Sequence, residues 1–416
     1  MVTAAESGVI TLREARDVAY QRNWDLLASR ADVDIATAQA LVARQFANPT
    51  LAVSSTKVPV NGHDAGTVLG NSVFNRSYDT ITAFNQLIEI GGKRRARQAS
   101  AQAGVVSAQY RLEDAHRQLN LAVSRAYVAV LAAETNTRIQ RESAASLRRE
   151  ADIAATRLRA GDISAADKQQ IEIVAERLEL DAARAETEAQ TARIQLQILL
   201  GVNLPDGTIR LADDLNALAG SGVEAVPVAE SAGAERPDVA AARADLKRAE
   251  AEYRLAKANR IPDPTFLVQY EHEPPDKANT LGFGVSFPLP LWNRNQGAIA
   301  AAAAARRQAE LNADRVAAQG AAELATARQA YQGARQRQEQ YSRVIVPQSA
   351  AVRQSVTFAY DRGGASLLDL LNAQRNDNEV RLAEAQAAAD AAVRLAEFEA
   401  ARFSISSNPT RPAKVP

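Results

Sequence analysis

Few residues of this 416-residue sequence could do chemistry, and their spacing argues against catalysis. Its three histidines, His63, His116 and His272, stand far apart, and the absence of cysteine removes thiolate ligands, disulfides and a lipid-anchoring Cys. Neither a Gly-rich phosphate loop nor a metal-ligand spacing occurs, so no catalytic residue, metal site or cofactor is expected. Glu271-His272-Glu273 sets an imidazole between two carboxylates and could chelate a cation in a multimer. Beside Pro274-Pro275, however, it reads as a charged rim at the end of a hairpin. His116 stands alone in a helical run and reads as a satisfied or solvated side chain. Lysine plus arginine and aspartate plus glutamate number 49 each, and no basic patch is interleaved with aromatics, which excludes nucleic acid as a partner.

Composition points to architecture instead. Alanine supplies much of the 46% apolar content and aromatics only 5%, as in helices that pack closely through small side chains. No run approaches the ~20 apolar residues of a membrane-spanning helix, so any passage across a bilayer falls to β-strands. The opening MVTAAESGVITL lacks a charged segment followed by an apolar one, so the expectation is either a cytoplasmic protein or a processed form with its signal peptide removed.

The sequence repeats itself with a period of roughly two hundred residues. Ser29-Arg30-Ala31-Asp32-Val33 recurs as Ala242-Arg243-Ala244-Asp245-Leu246, and Asn48-Pro49-Thr50-Leu51 as Asp263-Pro264-Thr265-Phe266. The run from Leu87 to Lys93 corresponds to that from Pro288 to Arg294, and Arg159-Ala160-Gly161-Asp162-Ile163-Ser164 to Asp361-Arg362-Gly363-Gly364-Ala365-Ser366. The proline signals end helices before strand-like sequence, and the glycines of the last pair mark helix-to-helix turns. Gly92 to Gly161 and Asn293 to Gly363 enclose helical runs of about seventy residues, broken by proline only at Pro347; at ~1.5 Å per residue such a rod is about 100 Å long. In the first rod Leu112, Ala115, Leu119, Ala122, Ala126, Ala129 and Ala133 form one stripe. Val123, Tyr127 and Val130 form a second beside it, so the rod touches neighbours on two sides, as in a ring of helices.

The predicted organisation begins with an N-terminal extension at 1–10. A first repeat at 11–200 holds a helix, a β-hairpin at about 49–90, a long helix at 93–160 and a return helix at 163–200. A connector with little regular structure follows at 201–237. The second repeat, 238–403, holds a helix, a hairpin at about 264–291, a long helix at 295–361 and a return helix at 365–403, before a tail at 404–416.

Strands are expected at about 49–59, 78–90, 264–273 and 280–291. In the fourth, Leu281, Phe283, Val285, Phe287, Leu289 and Leu291 alternate with Gly282, Gly284, Ser286 and Pro288. In the third, Phe266, Val268 and Tyr270 alternate with Thr265, Gln269 and Glu271, with Leu267 out of pattern. One such strand fits a water-filled barrel or an amphipathic hairpin on a soluble core equally well, and repetition favours the barrel. Four strands cannot close it, and bare edges are forbidden in lipid. Two, three or four chains must therefore pool eight, twelve or sixteen strands. The insertion from Asn61 to Ser77 lengthens the first hairpin loop, as suits an external loop.

Three stretches resemble the TolC-like outer-membrane efflux proteins, and within them the heavy-metal-efflux branch of Czc type. They are Phe287-Pro288-Leu289-Pro290-Leu291-Trp292-Asn293-Arg294-Asn295-Gln296-Gly297, the run from Gln86 to Arg97, and the run from Tyr360 to Gln374. The resemblance covers nearly the whole chain and implies an α+β membrane protein. Its parts are a very long α-helical coiled-coil barrel in the periplasm and a transmembrane β-barrel in the outer membrane, twelve-stranded in a homotrimer with four strands per protomer. It further implies a passive conduit for heavy-metal cations with a periplasmic gate, serving a periplasmic adaptor (membrane fusion protein) and an inner-membrane pump of the resistance-nodulation-division type. Carried over by position, the gate carboxylates fall on Asp369 and, at the second, commonly acidic place, on Asn372. Tyr360 matches a gate tyrosine and Asp167 its hydrogen-bonding partner, while Ala365 replaces an arginine of some members. Gly161, Ser164, Gly363 and Ser366 fall at the tips that meet the adaptor, and Gly91, Gly92, Pro288 and Pro290 at the strand-to-helix junctions. Three Asp369 side chains around a narrow axis would repel one another, favouring a raised pKa or bound counter-ions. The competing readings are a periplasmic adaptor, which predicts one hairpin flanked by β-rich domains, and a coiled-coil scaffold without a channel, to which paired strands are irrelevant.

Overall fold

The computed structural model describes residues 9–56, 79–220, 235–273 and 278–403. The expected external loop from Asn61 to Ser77, His63, Pro274-Pro275, part of the connector and both chain ends lie outside the described residues. In chain order the elements are β1 (Val9–Ile10), α1 (Leu12–Arg22), α2 (Trp24–Arg44), β2 (Thr50–Thr56), β3 (Asp79–Leu87), α3 (Lys93–Ala160), α4 (Ala165–Leu199), β4 (Arg210–Leu211) and α5 (Leu215–Gly220). They continue with α6 (Pro237–Ala258), β5 (Thr265–Glu273), β6 (Ala278–Ser286), α7 (Gln296–Gln340), a π-turn (Tyr341–Ile345), α8 (Val346–Asp361) and α9 (Leu367–Arg402). No described helix is long and apolar enough to cross a membrane. Two compact units cut across the duplication, each drawing corresponding stretches from both halves. One comprises Met1–Ala31, Arg111–Val239 and Ala317–Pro416, the other Asp32–Tyr110 and Ala240–Val316.

In the first unit the core is built largely of small side chains. Val123, Tyr127 and Val130 of α3 are completely buried and share one cluster with Ala15 and Ala19 of α1, Leu196 of α4 and Ala388 and Ala391 of α9. The second stripe expected on the rod is therefore covered, and Leu119 of the first joins the same cluster, with Leu112, Ala115 and Ala126 packed against it. Ala129, from the first stripe, is exposed and Ala122 and Ala133 are half-buried, which leaves part of that stripe uncovered. The Tyr127 hydroxyl lies 2.8 Å from both the Ile10 carbonyl and Asp213 Oδ2, and the same carboxylate oxygen accepts the Leu12 N–H at 2.8 Å. Burial, reinforced by Asp213, pushes the phenol well above its ordinary range. The connector is more regular than expected: β4 pairs in parallel with β1, and α5 follows it. Gly201, at φ +74°, ends α4; a Cβ there would lie 2.4 Å from the Arg22 carbonyl oxygen, so only glycine fits.

The second rod is not the single helix expected over 295–361. Pro347 has no N–H to donate to the Arg343 carbonyl, and its ring crowds that carbonyl. The backbone widens into the π-turn just upstream, where the Val346 N–H donates to the Tyr341 carbonyl.

The second unit holds a four-stranded antiparallel sheet in the order β2-β3-β5-β6. Its register aligns the alternation across strands: Leu51, Phe84, Val268 and Phe283 form one row, and Val53, Thr82, Tyr270 and Leu281 the next. Phe266 and Val285 continue the same face. Its apolar members are exposed, Phe283 by 76% and Leu51 by 69%. The opposite face carries rows such as Ala52, Ala83, Gln269 and Gly282, and is small or polar apart from Ile81, Leu87 and Leu267. The fourth strand stops at Ser286 rather than 291, because Pro288 and Pro290 offer no N–H to a ladder.

Replacing Tyr127 by Phe removes the donor shared by Ile10 and Asp213 while preserving shape. Denaturant unfolding followed by circular dichroism in detergent is expected to show a loss of about 1–2 kcal/mol.

Candidate functional site

Both ends of the helical hairpins use the same two devices. At the first tip, the Gly161 N–H donates to the Leu158 carbonyl at 3.1 Å and the Asp162 N–H to the Arg157 carbonyl at 2.9 Å. At the second, Gly363 donates to Tyr360 at 3.0 Å and Gly364 to Ala359 at 2.8 Å. This pattern requires a left-handed residue, and both glycines have positive φ, +85° and +75°. Three residues on, Ser164 and Ser366 cap α4 and α9. The Ser164 hydroxyl meets Asp167 Oδ2 at 2.8 Å and the Ser366 hydroxyl meets Asp369 Oδ2 at 2.6 Å, while each serine N–H also donates to the same carboxylate. The backbone N–H of each aspartate donates back to the serine oxygen, completing a capping box.

Asp167 and Asp369 thus occupy equivalent places in the two halves, which the sequence comparison had assigned to different roles. Asp167 is committed to its own cap, and among the described residues no hydrogen bond joins it to Tyr360. The Ser366 hydroxyl and N–H hold the Asp369 carboxyl below its ordinary range. Asn372 lies one turn further along the same exposed flank of α9. The tips differ where Tyr360 and Asp361 stand against Leu158 and Arg159. Arg157 of α3 reaches across to both, its guanidinium 5.1 Å from the Tyr360 ring centroid and 3.5 Å from Asp361. Behind it Ala151, Ala154 and Ile171 form a small apolar cluster with Ile163 and Leu367. Glu150 is pushed upward by burial and then by Asp361, with Arg157 opposing. Arg157 escaped sequence reasoning because its partners lie two hundred residues away, on a helix whose facing side no local pattern reveals.

The family model for the outer membrane efflux protein family matches residues 15–202 and 228–401. The chain belongs to this family. It is 27% identical over 381 residues to the cobalt-zinc-cadmium resistance protein CzcC of Cupriavidus metallidurans, covering 90% of this chain and 86% of that one. Among solved structures it resembles a membrane protein from Pseudomonas aeruginosa, with a TM-score of 0.76 and 19% identity over 94% of this chain and 92% of that one. It also resembles the outer membrane protein VceC of Vibrio cholerae, with a TM-score of 0.74 and 20% identity over 95% and 97%. These likenesses establish a TolC-like fold, and with the family they place this efflux protein in the outer membrane among transport proteins.

In this outer membrane efflux protein the strand-to-helix junction of the first half is pinned by one carboxylate of the second, Asp263. Gly91 and Gly92, with φ of +72° and +79°, turn the chain from β3 into α3. Asp263 accepts the Ile90 N–H at 2.9 Å and meets Lys93 Nζ at 2.7 Å, and both of those side chains are largely buried. In the second half Pro288 and Pro290 hold the chain extended, and Asn295, at φ +61°, donates from its amide to the Ala256 carbonyl at 2.8 Å. At the loop end of the sheet, Asp79 joins Glu271 and Glu273, their carboxylates within 4.8 Å of one another, whereas His272 turns to Asn279 at 2.8 Å. The sequence motif hid Asp79 because only the β3–β5 register brings it there. His116 is half-buried, 3.1 Å from the Asn120 amide and edge-on to Tyr20, and burial lowers its pKa.

Replacing Ser164 or Ser366 by Ala is expected to cost about 1 kcal/mol of local helix stability. Faster amide hydrogen exchange confined to the first turn of α4 or α9 checks it. The Asp369 cap stabilises the tip above the ordinary aspartate pKa and is lost as pH falls through the depressed folded value. Exchange at α9, corrected for its intrinsic rate, is therefore flat near neutrality and rises only in acid.

Proposed function

We propose that three copies of this chain form the outer-membrane duct of a tripartite efflux system, a passive conduit for heavy-metal cations joined through a periplasmic adaptor to a pump of the resistance-nodulation-division type. The observation that carries this reading is the sheet: an exposed, mostly apolar face in register across four strands, a mostly small or polar face behind it, and two edges, β2 and β6, without a neighbouring strand among the described residues. Three such sheets close a twelve-stranded barrel with lipid outside and water within. The metal assignment is supported by the likeness to a cobalt-zinc-cadmium resistance protein.

The tips serve as the gate. Arg157 ties the first tip to Tyr360 and Asp361 of the second, and Asp369, kept ionised by its cap, sets a ring of three carboxylates that concentrates cations at the mouth. Gly161, Ser164, Gly363 and Ser366 shape the rounded ends that the adaptor meets. No residue in this scheme performs catalysis, and the pump supplies the driving force.

In planar bilayers Arg157→Ala is expected to raise conductance severalfold by freeing the second tip, and Asp369→Ala to weaken block by divalent cations. Unchanged conductance and block would remove the tips from the gating role. Expressed with its adaptor and pump in a host lacking its own metal-efflux duct, the protein is expected to restore growth in cobalt, zinc or cadmium. Growth restored only against organic toxins would overturn the metal assignment.

A further inference from the structure

The two ends of the sheet carry opposite charge. Asp79, Glu271 and Glu273 stand at the loop end, whereas the helix end is basic in both halves. Arg44, Arg95, Arg260 and Arg294 are all exposed there, and the nearby acids are taken: Glu89 by Arg97 at 2.6 Å and Asp263 by Lys93. Among the described residues no carboxylate pairs with Arg260 or Arg294. These two arginines line a cleft of about 570 Å³ together with Leu291, Trp292, Gln296 and Ile299. Trp292 is 89% exposed, the most exposed large hydrophobic side chain described. At the other junction Phe46, 72% exposed, lies under the Arg94 guanidinium, 3.8 Å from ring centroid to Cζ.

Exposed tryptophan and phenylalanine beside uncompensated arginines is a costly surface in water, and it continues directly from the apolar sheet face through Phe287, Leu289 and Leu291. At a membrane surface the cost disappears: the indole lies at headgroup level, and guanidinium forks match phosphate oxygens. We propose that the Arg260-Trp292-Arg294 cleft binds the phosphate of anionic phospholipid headgroups at the periplasmic surface of the membrane, with Arg94 and Phe46 forming a second, smaller contact in the other half. The charge selects the headgroup: zwitterionic lipids offer the same phosphate with a compensating amine, which the arginines repel. This inference rests on the reading of the sheet as a barrel wall and adds to it a lipid class and an orientation, basic end inward.

The chain has two tryptophans, so a Trp24→Phe background isolates the fluorescence of Trp292. The assembled protein is reconstituted into phosphatidylcholine vesicles containing a minor fraction of brominated phosphatidylglycerol or, in parallel, brominated phosphatidylcholine. Quenching by the anionic lipid is expected to exceed that by the neutral one severalfold and to fall to the neutral level in high salt, as screening requires. Arg260→Glu with Arg294→Glu removes the excess, and Arg260→Lys with Arg294→Lys keeps most of it. If the charge-reversed variant does not assemble, the salt dependence in the unreversed protein decides. Equal quenching by both lipids, or an excess indifferent to salt, overturns the headgroup site but leaves the barrel reading intact; no quenching by either lipid overturns both.

Discussion

A β-sheet edge is a row of backbone N–H and C=O groups, and in hydrocarbon each such group left unpaired costs several kcal/mol. The sheet of this protein has two such edges and an apolar face that water does not favour. Much of the rest follows from that conflict. A soluble fold would cover the face; here, among the described residues, it is exposed, and the alternation is extended over four strands in register. Pairing β2 of one copy with β6 of the next satisfies both edges at once, since the two strands run antiparallel to each other. The uncovered part of the first α3 stripe then needs a neighbour of its own, and the alanine-rich surface allows a close one.

Duplication makes this arrangement economical in sequence. The tips show the same grammar written twice: a left-handed glycine, two linking residues, a serine and an aspartate three residues later. The carboxylates there hold backbone donors in place, and at Asp369 that cap also lowers the pKa within the single chain. What distinguishes the tips is the single cation of Arg157, which engages an aromatic ring and a carboxylate in the second half only. Symmetric caps are thus joined by an asymmetric tie, and it is on that tie that the proposed gate rests.

The parts most legible in the sequence were those with a short period or a strict backbone requirement. Alternation in Leu281, Phe283 and Val285 marked a strand, and Gly161 and Gly363 marked turns, because each signal is local. The helix that became α7 and α8 read as continuous, since a single proline in a rod gives no hint whether the backbone kinks, breaks or widens. The connector hid β4 and α5, as two-residue strands and short helices carry too few residues to show a period. Asp79, Arg157 and the pairing of Asp167 with its own serine depended on which distant or neighbouring group each side chain chose. Family correspondence drew attention to the tips, while the capping bonds that Asp167 and Asp369 make within their own hairpins are visible only in the structure.

The central claim, that the sheet is one third of a shared wall, is tested most directly at its edges. The protein has no cysteine, so a pair introduced by Val53→Cys or Leu51→Cys on β2 with Leu281→Cys or Phe283→Cys on β6 gives no background. Within one chain the two edges are three strand spacings apart, about 14 Å, too far for a disulfide. Oxidation in outer-membrane fractions followed by denaturing electrophoresis is predicted to yield covalent trimers for at least one pairing register. Monomers alone at every pairing, or ladders that stop at dimers or extend beyond trimers, would contradict the account.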